Sequence, residues 1–286
     1  MKRSFCIGSE WIYFKLYIGP KTADIVLLEK IKNVVSYLEK KKIINLWFFI
    51  RYNDPDYHLR IRFKCSNTNN IFKVIKILYP ILNELIEEDI LWKVQTDLYQ
   101  REIERYGEST IEDSEMLFYQ DSLMILKYIE VKPSFNSLET SLLFSFISID
   151  QFLSVFEFDL QSRYELLNRL QLAYKDEFEF DKKIKAQYDK NYRSLQDKIH
   201  YFISREAEFE NKEIFKILKD KHDLIHEIAI CVKSNITIDL NDFMASHIHM
   251  MINRQYTSKQ RHYETLIYDH MWRYYKYALN KNTYKL

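Results

Sequence analysis

Glycine occurs only 3 times and proline 4 times in 286 residues. So few turn-formers argue against an all-β fold full of tight turns and for long helices. Cysteine is scarce too. Cys6, Cys65 and Cys231 are scattered and odd in number, which suits a reducing compartment and forms no metal pattern. No apolar run approaches the roughly 20 residues that a membrane span needs, and polar residues follow Met1-Lys2-Arg3 too soon for a signal peptide. An excess of one charge is also missing: the formal net charge is +1, so there is no global basic field for nucleic acid. No glycine-rich phosphate loop, Walker lysine, serine elbow or heme pattern occurs. What is present is apolar (47%) and aromatic (16%), which excludes a disordered chain. The expectation is a cytoplasmic protein with a sizeable core and no membrane span.

The stretch 46–64, LWFFIRYNDPDYHLRIRFK, is the most informative. It reads as a β-hairpin, two runs rich in aromatic and branched residues around a turn at Asn53-Asp54-Pro55-Asp56. In the second run Tyr57, Leu59, Ile61 and Phe63 share one face, and His58, Arg60, Arg62 and Lys64 the other. Same-face neighbours on a strand sit roughly 7 Å apart, making a ladder of cationic donors about 20 Å long.

Residues 11–18 read as a strand ending at Gly19-Pro20. A helix follows near 22–41, with Ile25, Leu28, Ile31, Val35 and Leu38 as its apolar stripe. After the hairpin, Asn69 or Asn70 can cap a helix carrying Val74, Ile75, Leu78, Leu82 and Leu85, with Pro80 as a point for a kink. Residues 91–97 complete the set as a fourth strand. The order β-α-β-β-α-β is the ferredoxin-like arrangement, whose usual strand order, fourth-first-third-second, makes the arginine-bearing strand interior. Both helices then cover one face. Tyr13, Lys15, Tyr17, Lys93, Gln95 and Asp97 are expected on the other, joined by Trp47, Phe49 and Arg51 of the second strand.

A face this aromatic calls for a cover, and the C-terminal half is the candidate. Ser109-x-x-Glu112 reads as a capping box opening a helix to about Ile129, with Pro133 as its breaker. Periodic segments follow near 138–158, 161–177, 180–207, 212–232, 240–255 and 258–279, and 172–222 is charged enough to read as a solvated helical hairpin. The fold class is therefore α+β. One domain spans 1–286, with an α/β sheet part at 1–107 and a large helical extension at 108–286 covering the open sheet face.

Three clusters carry chemistry. Arg60 and Arg62 form surface ion pairs if their strand is at an edge, and a carboxylate or phosphate site if it is interior, because guanidinium offers fixed donors and stays charged. Arg51, His58 and Lys15 are further binding candidates on the same face. Glu102 and Arg105, one turn apart in TDLYQREIERYG (96–107), form either a plain ion pair or part of a site at the sheet's end. His249, in ASHIHMMINR (245–254) on a helix that Asp239 can cap, is either a hydrogen-bonded structural residue or catalytic. His247 and His249 are too close for zinc ligation from opposite turns, and His222 with His226 lacks a third ligand, so no metal is expected.

Taken together, WIYFKLY (11–17), FFIRYNDPDYHLRIRF (48–63), DLYQREIERYG (97–107), EMLFYQDS (115–122) and SHIHMMINR (246–254) resemble a known family. They are similar to the C-terminal elimination domain of class I lantibiotic (lanthipeptide) dehydratases, also found as the thiopeptide-type bacteriocin biosynthesis domain. The upstream domain that transfers glutamate from glutamyl-tRNA has no counterpart here, so the resemblance implies a standalone elimination subunit of a split dehydratase. It implies a partner that glutamylates Ser or Thr of a precursor peptide from glutamyl-tRNA, and a lyase step here that expels glutamate to leave dehydroalanine or dehydrobutyrine. The family's functional arginines fall on Arg60, Arg62 and Arg105, its acidic partner on Glu102 and its histidine on His249. No redox cofactor or metal is implied, and no direct nucleic-acid binding. A cousin of the same fold closes pyridine rings by formal [4+2] cycloaddition of two dehydroalanines and is the alternative. A further alternative is a non-catalytic peptide-binding scaffold.

Overall fold

The computed structural model describes residues 1–134 and 138–283. Where branched and aromatic residues run without interruption, strands form. Trp11–Ile18 is β2, Ile44–Asn53 is β3, Tyr57–Cys65 is β4 and Leu91–Thr96 is β5. They make one antiparallel sheet in the spatial order β3-β4-β2-β5, so the arginine-bearing β4 is interior, as expected. A second, two-stranded ladder joins β1 (Ser4–Phe5) to β6 (Tyr99–Gln100).

Register decides the faces. Arg62 lies opposite Tyr13 and Phe48, Arg60 opposite Lys15 and Ile50, and His58 opposite Tyr17 and Tyr52. Residues directly opposite share a face. Phe48, Ile50 and Tyr52 therefore join the ladder, and the expectation that Trp47, Phe49 and Arg51 would do so is corrected. The cause is the hairpin loop. Asn53 pairs with Tyr57, leaving Asp54, Pro55 and Asp56 as the connection. Shifting the pairing by one residue turns every side chain of a strand over.

The helices take the other face. Pro20–Ile25 (α1) continues through a π-helical stretch, Val26–Ile31, into Lys32–Lys40 (α2). Arg51 reaches Asp24 on α1 at 2.6 Å, which places α1 on the face opposite the ladder. Asn70–Glu87 forms α3 and packs along β5. Its first turn is capped by Asn67, whose Oδ1 accepts from the Asn70 N–H at 3.2 Å, while Asn69 makes no side-chain cap bond. Pro80 is accommodated inside the helix, which runs on as one element.

The exposed edge of β3 is sealed by side chains. Ser122 accepts from the Phe49 N–H (3.2 Å), and Asn253 both accepts from the Arg51 N–H (3.0 Å) and donates to its carbonyl (2.8 Å). Covering an edge in this way satisfies backbone groups that would otherwise template aggregation. Ser122 lies on α5 (Ile111–Val131), which follows the short α4 (Ile103–Tyr106) and sets Phe118 against Phe48 with ring centres 5.3 Å apart, so α5 covers one end of the ladder face. The Ser109 hydroxyl donates to the Asn235 carbonyl and Glu112 turns to Arg101, so the expected capping box gives way to tertiary partners.

Contacts group the chain into two compact units. One holds Met1–Glu130 with Asn235–Ile238 and Asn253–Ser258, and the rest forms the other. The helix opening at 111 thus belongs with the sheet. The second unit is built from α6 (Leu138–Val155), α7 (Leu160–Glu177), α8 (Lys182–Ile203), α9 (Lys212–Asn235), α10 (Leu240–Gln255) and α11 (Gln260–Thr283), apart from a few residues at the ends of α9 and α10. Asp239 caps α10 by accepting from the Asp242 N–H at 3.0 Å. One expectation fails here. The charged stretch 172–222 is no solvated hairpin: α8 and α9 are amphipathic and bury Tyr188, Leu195, Ile199, Phe202, Ile214, Phe215 and Leu218. Among the described residues α6 alone is long and apolar enough to cross a membrane by length and composition, and two thirds of it (67%) is buried within the protein, as in a core helix.

Candidate functional site

Arg62 is 8% exposed and inserted among aromatic rings, its Cζ 4.3 Å from the centre of Tyr13, 5.0 Å from Tyr99 and 5.3 Å from Phe48. The faces of these rings attract a cation, but they offer no hydrogen-bond acceptor. Its Nε is buried and makes no hydrogen bond, and no described carboxylate forms an ion pair with Arg62 or Arg60. Burial holds the Arg62 guanidinium below its usual pKa; the field of Tyr13 works against that and the charge of Arg60 adds to it. A guanidinium remains charged even so. Their strand is interior, and among the described residues neither arginine makes the surface ion pair expected of an edge strand.

Beside it, Arg60 is half-buried, with its Cζ 3.4 Å over the Tyr52 ring. Its Nε–H donates to His58 Nε2 at 3.0 Å, while His58 Nδ1 donates to the Asp56 carbonyl at 2.8 Å. Burial lowers the pKa of His58, so the ring is neutral and this rung of the ladder is not a cation. It serves to aim Arg60. Lys15 pairs with Asp97 at 2.5 Å, and that contact keeps the Asp97 carboxyl below the usual range.

Arg51 leaves the site altogether. Fully buried on the opposite face, it gives its donors to Asp24, the Tyr57 hydroxyl (3.1 Å) and the Arg254 carbonyl (2.8 Å). Glu102 and Arg105 form the i,i+3 ion pair at 3.1 Å, with side chains 63% and 57% exposed. Glu102 is near enough for its charge to favour protonated Arg62.

Residues that sequence reasoning did not single out support the cage. The Tyr99 hydroxyl donates to Glu115 (2.9 Å), and Arg101 clamps the same carboxylate with two bonds of 2.7 Å. Arg254, fully buried, donates from Nε to the Phe49 carbonyl (2.9 Å) and lies 3.5 Å from Asp121. Burial lowers its pKa to about 10. The motif residues Glu115, Asp121 and Ser122 are thus positioning groups of the sheet unit.

In the helical unit His249 Nδ1 meets Glu264 Oε1 at 2.5 Å. Glu264 is wholly buried and also receives the Tyr268 hydroxyl (3.3 Å) and Arg261 (3.3 Å). A carboxylate on Nδ1 holds the tautomer that leaves Nε2 with a free lone pair, and His249, 31% exposed, keeps access to solvent. Nothing in the local spacing marks Glu264, because it sits on α11 and His249 on α10. His247 is instead packed between Phe152 and Phe243. Among the described residues, no group of three His, Cys, Asp or Glu side chains is placed to hold a metal ion.

A family model described as lantibiotic biosynthesis dehydratase, C-terminal part, matches residues 11–275. Subtilin biosynthesis protein SpaB of Bacillus subtilis is 28% identical over 178 residues, 61% of this chain and 17% of that protein. Nisin biosynthesis protein NisB of Lactococcus lactis subsp. lactis is 35% identical over 121 residues, 41% of this chain and 11% of that protein. The chain thus spans less than a fifth of the curated relatives it matches. The structure of the tRNA-dependent lantibiotic dehydratase MibB from Microbispora sp. 107891 superposes with a TM-score of 0.77 at 18% identity, covering 97% of this chain and 29% of that one. The pyridine synthase TbtD from thiomuracin biosynthesis superposes at 0.60 and 12% identity, covering 93% and 99%.

Proposed function

This chain belongs to the lantibiotic biosynthesis dehydratase C-terminal family, and from that premise we propose that it expels glutamate from glutamylated Ser or Thr of a ribosomal precursor peptide. The α-proton of the esterified residue passes to a base, the Cβ–O bond breaks, glutamate leaves as a carboxylate, and a Cα=Cβ bond remains. One observation carries the reading: Arg62 is buried beside Arg60 on an interior strand, and among the described residues neither has an ion-pair partner. Such donors stabilise a carboxylate that gains its charge on departure more than the neutral ester, which is the condition for acceleration. Arg105 and Glu102 serve the glutamyl group at the sheet's end, Lys15 adds positive field, and His249, oriented by Glu264, moves the proton. This acid–base chemistry calls for no redox cofactor.

The fold that supports this is a ferredoxin-like sheet with a helical extension, acting as one elimination domain. In this reading it works in the cytoplasm on peptide prepared by a glutamyl-tRNA-dependent partner activity. The test is mass spectrometry of a precursor peptide already glutamylated on Ser or Thr. The protein should release free glutamate and leave a product one water lighter than the unmodified peptide. Persistent glutamyl adducts, together with ring closure of a bis-dehydroalanine peptide, would transfer the assignment to pyridine synthesis.

A further inference from the structure

Tyr13 stands directly opposite Arg62 across the β2–β4 ladder, on the same face, and is 4% exposed. Its hydroxyl is buried and makes no hydrogen bond, as is true of Arg62 Nε. A buried donor without a partner costs stability, and native proteins seldom keep one without a use. Two such donors on paired residues, with the guanidinium over the phenol ring, are a stronger sign than either alone. The charges that act on the phenol are Arg62, Arg60 and Lys15 on one side and Asp97 on the other, so the surroundings are cationic. Burial keeps the phenol protonated in spite of them. A neutral O–H in a cationic, largely dry setting is suited to donate to an anion that arrives during the reaction.

We propose that the Tyr13 hydroxyl donates a hydrogen bond, alongside the Arg62 guanidinium, to the carboxylate oxygen that leaves with glutamate. The proposal rests on the elimination reading and adds a catalytic residue to it. Tyr13 takes no proton: the α-proton goes to the base, the electron pair of the broken Cβ–O bond stays on the departing carboxylate, and the phenol only stabilises that charge.

Tyr13→Phe separates this role from a structural one, because it keeps the ring under Arg62 and removes only the unsatisfied oxygen. The free variant should melt at the same temperature as the wild type or a few degrees higher. With glutamylated peptide, kcat for glutamate release should fall about 10- to 100-fold, the range of a hydrogen bond to a charged group, while KM stays within about threefold. A wild-type rate in Y13F overturns the proposal. So does a rise in KM with kcat unchanged, which means ground-state binding only, and so does a lowered melting temperature, which makes the hydroxyl structural. Wild-type protein that releases no glutamate removes the elimination reading itself, and this proposal with it. That failure shows in the wild-type arm, whereas failure of the Tyr13 role shows only in the variant.

Discussion

Arg60 donates its Nε–H to Nε2 of His58 at 3.0 Å, so the imidazole must be neutral for the arginine to be aimed. Burial lowers the His58 pKa below the value of about 6.5 found in an unfolded chain. The unfolded state therefore binds the proton first. The stability tied to neutral His58 is present above about pH 6.5 and is lost as pH falls below it. His200 and His270, also lowered by burial, act with the same sign. The melting temperature should drop between about pH 7.5 and about pH 5.5, and His58→Gln should reduce that slope. An equal slope in the variant would show that His58 does not contribute.

Arg62 should show opposite signs in stability and activity. Its environment disfavours the charge, so Arg62→Met is expected to leave the melting temperature unchanged or raised. The same variant should slow glutamate release on the order of 100- to 1,000-fold, by analogy with the loss of one oxyanion donor. Arg62→Lys should not restore the rate, because an ammonium lacks the planar fork.

Arg51 is the contrasting case. With Asp24, Tyr57 and the Arg254 carbonyl as partners, its truncation takes a buried cation away from the half-buried Asp24 carboxylate and a donor away from a buried carbonyl. Arg51→Ala should destabilise by about 3–5 kcal/mol in chemical denaturation, the cost of breaking a buried pair. Any soluble fraction should retain a KM for glutamylated peptide close to wild type.

His249→Ala should stall the reaction at the glutamyl adduct, with a loss on the order of 100- to 10,000-fold in rate. Glu264→Gln keeps the shape but exchanges the carboxylate on Nδ1 for an amide. It should lower kcat and move the pH–rate profile, whereas a purely structural carboxylate would change melting temperature alone. A pH–rate profile of Glu264→Gln beside wild type decides between them.

Arg105→Ala should cost little stability, because the Glu102 pair is more than half exposed on both sides and such pairs are worth about 0–1 kcal/mol. Glutamyl adducts should nevertheless accumulate with the variant in the mass-spectrometric assay.

Local periodicity in the sequence was enough to place the four strands of the main sheet, the long helices and one face of β4, but not the short β1–β6 ladder. The alternation from Tyr57 to Cys65 places Arg60 and Arg62 together without reference to any neighbour. The element order made β4 interior, and the motifs with their spacing pointed to the family. The faces of β3 were decided by tertiary structure, because a single residue in the Asp54–Asp56 connection exchanges Trp47, Phe49 and Arg51 for Phe48, Ile50 and Tyr52 on the ladder. Partners distant along the chain were equally out of reach. His58 is neutral because it is buried against Tyr17 and Tyr52, Glu115 holds Tyr99 beneath Arg62, and Glu264 meets His249 from a different helix. Charge state and hydrogen bonding depend on burial and on contacts across the fold, and neither leaves a periodic trace in the sequence.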